Sequence, residues 1–301
     1  PDPAFLTLCG EKIGEQVTPE YLQCQVEVGT RPHASVADAL QELIALRRGV
    51  AEAAEAVGYR PSAASTHPFA KWREQTHTRK KRYDELRDDL GLAVRRLLIC
   101  GCPVHVAIED EALRVALMNQ AAYFLPHLLA LSVSSPFWEG EETGLSSYRL
   151  TVFDALPRTG LPDRVESWSE YRRLTAQLLD AGCIEDATRI WVTVVCSRVR
   201  DAAAVAALYQ CILAYLYRLC SRKQRWRIYP NILINENRWR AQRYGPEGKL
   251  VDHGRRVMAP LAELLEELLE MALPEAETLG CVPELLHVRT MAAGGSSAAR
   301  Q

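Results

Sequence analysis

The chain has no excess of charge of either sign: 36 lysines and arginines stand against 38 aspartates and glutamates, a formal net charge of −2. A nucleic-acid or membrane-surface protein would need a basic field that this balance does not supply, so neither partner is expected. The one basic knot, Arg79-Lys80-Lys81-Arg82, is short. It reads as a solvated helix start or, because it follows the His67 to Arg73 stretch closely, as a wall of an anionic pocket. Long apolar runs are also missing: no uninterrupted stretch reaches the roughly 18 to 20 residues of a membrane span. Nothing at the N-terminus reads as a signal peptide. Cys100-x-Cys102 has no second cysteine or histidine pair at zinc-ligand spacing, so a zinc site is not expected. The nine cysteines are odd in number and scattered through apolar stretches such as those around Cys211 and Cys220, which argues against a disulfide framework. Mostly buried thiols in a reducing cytoplasm are expected. No internal repeat appears, and the only Gly/Ser run, Gly294-Gly295-Ser296-Ser297, lies at the end, so residues 1–301 read as a single domain.

What is present is a helix-rich pattern, with hydrophobic residues making up 48% of the chain, enough for a sizeable core. Residues 17–30 alternate as a strand, placing Leu22, Cys24, Val26 and Val28 on one face and Glu27 on the other. Residues 34–58 have the apolar stripe of an amphipathic helix, with Ser35 as N-cap and Gly58 as the stop. Further helices are predicted over about 79–95, 110–132, 167–181, 184–191, 201–222 and 258–273. Leu97–Ala107 and Val192–Cys196 are short, apolar and β-branched enough to be buried strands. Helices outnumber strands without regular alternation, which points to an α+β fold.

Two strings stand out. In Leu125–Arg149 an apolar helix with Pro126 in its first turn runs into Ser134-Ser135-Pro136, Gly140 and Gly144, between which sit Trp138, Glu139, Glu141, Glu142 and Thr143. In Asn235–Gly245, Asn237, Arg240 and Arg243 recur at a spacing of three, near one helical face. With Thr66-His67-Pro68-Phe69, Gly101-Cys102-Pro103-Val104-His105-Val106 and Val26-Glu27-Val28-Gly29-Thr30, these strings resemble, in order and over nearly the whole chain, the glutamate-cysteine ligase type 2 family, the YbdK-like carboxylate-amine ligases. The resemblance implies a glutamine-synthetase-like fold, in which a curved antiparallel sheet lines the active site and helices cover its outer face.

It also implies a reaction. The carboxylate of glutamate is phosphorylated from ATP, and the acyl phosphate is attacked by an amine, cysteine in the family's name, to give a γ-glutamyl amide. Such chemistry needs Mg2+ on oxygen ligands and guanidinium groups to hold carboxylate and phosphoryl oxygens. Glu20 and Glu27 match the family's acidic positions and are the expected metal ligands. The alternative is a solvated strand face. His105 matches the second histidine of a His-x-His strand and is expected to contact nucleotide or metal, a satisfied core histidine being the other reading. Asn237 is placed with it as a cofactor contact. Arg149 and Arg243 are the candidate catalytic clamps for carboxylate or phosphate. His67 is either a substrate contact or part of a turn fixed by Pro68. Tyr148 and Trp138 either shape the amine pocket or pack. L-glutamate, and L-cysteine or another amine, are the expected small-molecule partners, and the oligomeric state, homo-oligomers included, stays open.

Three departures qualify the resemblance. The Gly-x-Glu-x-Glu strand that opens the family is absent, since Leu6-Thr7-Leu8 runs directly into Cys9-Gly10-Glu11. A Thr-x-Glu-x-Arg strand is absent where Ile190-Trp191 meets Val192-Thr193. Pro103 stands where the first histidine of His-x-His belongs. Either residues are missing at those two junctions, or the chain is a non-catalytic relative that binds nucleotide or amino acid without turnover.

Overall fold

The computed structural model describes residues 3–157, 159–184, 193–194, 198–294 and 297–299. Its centre is α9 (Val199–Ser221), which has Ala204, Leu208, Cys211, Ile212 and Leu216 fully buried along one stripe. Around it pack α2 (Val36–Ala56), α5 (Glu111–Ala121), α6 (Leu125–Ser132), α11 (Leu261–Leu279) and α12 (Val282–Ala293). Helix α9 is long and apolar enough to cross a membrane by length and composition, its mean hydropathy reaching 1.4 over the best window. In this fold its apolar side faces other helices. The Leu264–Leu265 and Leu268–Leu269 pairs of α11 repeat at helical spacing and close the core from the other side.

Residues 17–30 form a hairpin instead of one strand. β1 (Val17–Pro19) and β2 (Val26–Val28) pair antiparallel, with Thr18 opposite Glu27. Pro19 lacks the N–H that would extend β1, and residues 20–25 turn, tied to Thr76–Thr78 by backbone hydrogen bonds. The alternation still holds within β2. Val26 and Val28 face a small core of Phe5, Cys9, Val50, Ala53 and Ala54 between α1 (Pro3–Ile13) and α2, whereas Glu27 is exposed. Helix α2 begins after Ser35, whose hydroxyl accepts from the Asp38 N–H at 3.1 Å, as the sequence predicts.

Several predicted boundaries shift. The 79–95 helix is cut into α3 (Lys81–Leu90) and α4 (Leu92–Arg95) by Gly91, whose φ of 53° a helix cannot hold. The 110–132 helix is two, α5 and α6, joined by a 3-10 turn at Ala122–Phe124. Most of Leu97–Ala107 is irregular. Only β3 (Cys102–Pro103) forms a strand, pairing with β6 (Thr193–Val194), so His105 is not on a strand. The expected helix at 184–191 and most of the strand at 192–196 lie outside the described residues. The 258–273 pattern opens as β8 (Val257–Pro260), paired with β7 (Lys249–Asp252), and only then becomes α11. The predicted junction at Leu8–Cys9 falls inside α1, which runs through it unbroken.

The described strands form four separate two-stranded antiparallel sheets, and no continuous curved sheet appears among the described residues. Of the described cysteines only Cys9, Cys211 and Cys281 are buried, fewer than the sequence suggests, because the loop segments that carry Cys24 and Cys100 lie at the surface.

Candidate functional site

The loop after α6 is sewn to its neighbours by its own backbone. β4 (Phe137–Trp138) and β5 (Glu141–Glu142) pair across Glu139 and Gly140, whose φ values of 51° and 91° are those of a tight two-residue hairpin turn. The Thr66 hydroxyl donates to the Phe137 carbonyl at 2.9 Å, and the Ser65 carbonyl accepts from the Cys100 N–H at 2.8 Å. Ser135 then takes the chain into α7 (Tyr148–Phe153): its carbonyl accepts from the Tyr148 N–H at 2.9 Å and its hydroxyl from the Arg149 N–H at 3.1 Å. These contacts fix where Arg149 stands.

Arg149 is only 6% exposed. Its Nε donates to the Cys100 carbonyl at 2.8 Å, and its guanidinium lies 5.0 Å from the Phe153 ring centre. Burial pulls its pKa down to about 10, which still leaves it cationic at neutral pH. Among the described residues no carboxylate lies within ion-pair distance of it. Asp154, held by Arg238, lies near enough to favour the charged form but makes no ion pair with it, so the buried guanidinium is left open to an anionic ligand. Arg149 lines an open cavity of about 600 Å³ bordered by α5, α6, α7, α9 and residues from the segment 160–171. His105 and Glu109 lie at its edge. Arg238, from α10 (Asn231–Tyr244), closes another edge by donating to both carboxylate oxygens of Asp154 at 2.6 and 2.7 Å. Trp168, the first residue of α8 (Trp168–Asp180), adds a buried indole N–H without a partner.

Glu20 and Glu27 form a second acidic place on the β1–β2 hairpin. Partial desolvation, and then the nearby Glu20 carboxylate, hold the Glu27 carboxyl above its ordinary value. Glu20 Oε2 accepts from the Tyr21 N–H at 2.9 Å. The Gln25 amide links hairpin to cavity, donating to the Ile99 carbonyl at 2.8 Å beside Cys100. Two carboxylates fit a hydrated Mg2+, which keeps several waters and commonly takes one or two carboxylates. They do not make a dedicated cage, and among the described residues no cluster of three or more His, Cys, Asp or Glu side chains can hold a metal.

The structure separates the other predicted residues. Asn237 is buried and its amide is fully committed: Nδ2 donates to the Val251 carbonyl at 2.8 Å and Oδ1 accepts from the Val251 N–H at 2.7 Å. It pins β7 to α10, so the side chain expected as a cofactor contact is already bonded within the fold. Arg243 is exposed, donates to the Gly144 carbonyl, and lies outside the Arg149 cavity. His67 accepts from the Ala70 N–H at 3.0 Å through Nδ1 and closes a turn. Tyr148 packs on buried Trp138, ring centres 5.3 Å apart, in the cluster around Trp72 and Leu98. Sequence reasoning missed Arg238, Asp154 and Trp168. The one available signal was Ser167 followed by Glu170, a helix start that puts Trp168 at the first position of α8.

A cleft that buries the Arg149 guanidinium suits a protein acting on carboxylates or phosphates, the class to which ligases of acids and amines belong. The comparisons with known proteins narrow this. The chain belongs to the glutamate-cysteine ligase family 2, whose family model matches residues 4–200 and 192–301. It is 52% identical over 320 positions to a protein of Rhodospirillum rubrum named "Putative glutamate--cysteine ligase 2", covering 100% of this chain and 82% of that protein. A protein of the same name from Ruegeria pomeroyi is 50% identical, with 99% and 82% covered. The family resemblance read from the sequence is thereby shown, and the chain is a member of a ligase family. The family model matches in two pieces that overlap at 192–200. Alignment with the R. rubrum protein spans 320 positions against 301 residues here, so that relative carries residues this chain lacks.

Proposed function

We propose that the chain is an ATP- and Mg2+-dependent carboxylate-amine ligase that joins the γ-carboxylate of L-glutamate to an amine, in a glutamine-synthetase-like fold. The observation that carries this reading is Arg149, a buried cation without a carboxylate partner, set by the loop that the sequence shares with the family. Arg149 holds a carboxylate or phosphoryl oxygen by its guanidinium fork, and Glu20 and Glu27 would hold hydrated Mg2+. ATP, when bound, supplies the phosphoryl group that turns a carboxylate oxygen into a leaving group. The apolar walls exclude water, which would otherwise hydrolyse an activated acyl group. Most of the rate enhancement then comes from orientation and charge, since no side chain needs to form a bond to substrate.

A second reading is favoured by the division of the family match into two pieces that overlap at 192–200: a relative that binds its ligands without turning them over. Amine-dependent phosphate release from ATP separates the two. Release with glutamate and an amine, abolished by Glu27→Gln in a folded protein, supports the ligase. No release with any amino-acid pair supports the binding protein.

A further inference from the structure

Much of the wall of the Arg149 cavity is apolar. Among the described residues, Leu117, Met118, Leu128, Leu129, Phe153 and Leu213, from four different helices, line it together with the arginine. Among the described lining residues, Arg238 is engaged with Asp154 at 2.6 Å and Arg114 with the Ile108 carbonyl at 2.7 Å. A ligand that seats one carboxylate on Arg149 therefore extends the rest of itself among leucines. A second carboxylate among those leucines would be desolvated with no second cation beside it, which is unfavourable. The volume, about 600 Å³, is in the range that encloses a ligand with a bulky body.

We propose that this cavity is a site for a monocarboxylate with a large apolar body, its carboxylate on Arg149 and its body against Met118, Leu129 and Phe153. Hydrophobic L-amino acids are the members of that class that carry an amine, and they become the amine substrate if the ligase reading holds. Only that last role rests on the proposed function. Binding does not.

The test is calorimetric titration of the full chain, without ATP, with L-phenylalanine, 3-phenylpropionate, phenylethylamine and L-glutamate. L-phenylalanine and 3-phenylpropionate are expected to saturate one site, with glutamate weaker by about tenfold or more and phenylethylamine not binding. Arg149→Gln removes the anchor. Because that residue also braces the Cys100 carbonyl, Met118→Trp serves as a second variant, filling the cavity without altering charge. It should abolish binding while far-UV circular dichroism stays native. Glutamate binding as tightly as phenylalanine, phenylethylamine binding equally well, retention of binding in folded Met118→Trp, or no saturable binding at all would each overturn the proposal. Phenylalanine binding without phosphate release from ATP would leave this site standing and remove the ligase reading. Phosphate release with cysteine, with phenylalanine neither binding nor competing, would do the reverse.

Discussion

The helical half around α9 and the loop-built half around Arg149 are organised by different physics. In the first, burial is continuous: Leu208, Ile212 and Leu216 of α9 meet Leu265 and Leu269 of α11 with no solvent access to speak of. In the second, short strands and turns are held by scattered backbone and hydroxyl hydrogen bonds, such as Thr66 to Phe137 and Arg149 to Ser135. The helical half supplies stability through apolar area. The loop half spends part of it on an unpaired buried guanidinium and irregular backbone, the usual condition of binding sites.

The contrast can be broken most severely at α9. Leu208→Ala, at a fully buried position, should cost about 2–5 kcal/mol in urea denaturation. A cost below about 1 kcal/mol would mean that α9 is not the centre of the core.

His127 gives the next largest effect, and a pH-dependent one. It is buried on α6, its Nδ1 lacks a partner, and burial pulls its pKa down to about 4. Between about 4 and the unfolded value near 6.5 only the unfolded chain binds this proton, so stability is lost as pH falls through that window. The loss amounts to about 3 kcal/mol when complete. Thermal unfolding at pH 7 and pH 5 should show a smaller drop for His127→Phe than for the wild type; equal drops would assign the sensitivity elsewhere.

Asn237→Ala leaves the Val251 N–H and carbonyl without their side-chain partner, at a cost of about 1–3 kcal/mol. Since the amide is already committed, stability and not nucleotide affinity should fall. Nucleotide binding lost at unchanged stability would restore the role read from the sequence. Smaller again is Ser35→Ala, about 1 kcal/mol for a lost N-cap. The smallest effect is electrostatic: Glu20→Gln removes the like charge that helps hold the Glu27 carboxyl up, and NMR titration should find the Glu27 pKa lower. An unchanged Glu27 pKa would separate the two carboxylates and dissolve the proposed Mg2+ place.

Legibility followed the same division. Helices α2, α8 and α9 were readable because a 3.6-residue stripe is a local property, and Ser35 and Ser167 marked starts with side chains that cap their own backbone. The strands were read too long. Residues 17–30 carry the alternation of one strand, but Pro19 and the pairing of Gln23 with Thr76 turn them into a hairpin, and that pairing is set by residues far along the chain. Arg149 was legible as a family motif residue. That Arg243 lies outside its cavity was not, because only the packing of α10 decides it.

By itself the sequence determined the family, the principal helices, and the residue types from which a carboxylate site is made, since these rest on order and local periodicity. Tertiary structure alone decided which of those residues meet. Arg149 is buried without a direct ion pair where α5, α6, α7 and α9 converge, whereas Asn237, equally prominent in the string of residues, commits its amide to Val251. Burial and hydrogen-bond commitment depend on what packs from elsewhere in the chain, and neighbouring residues do not carry that information.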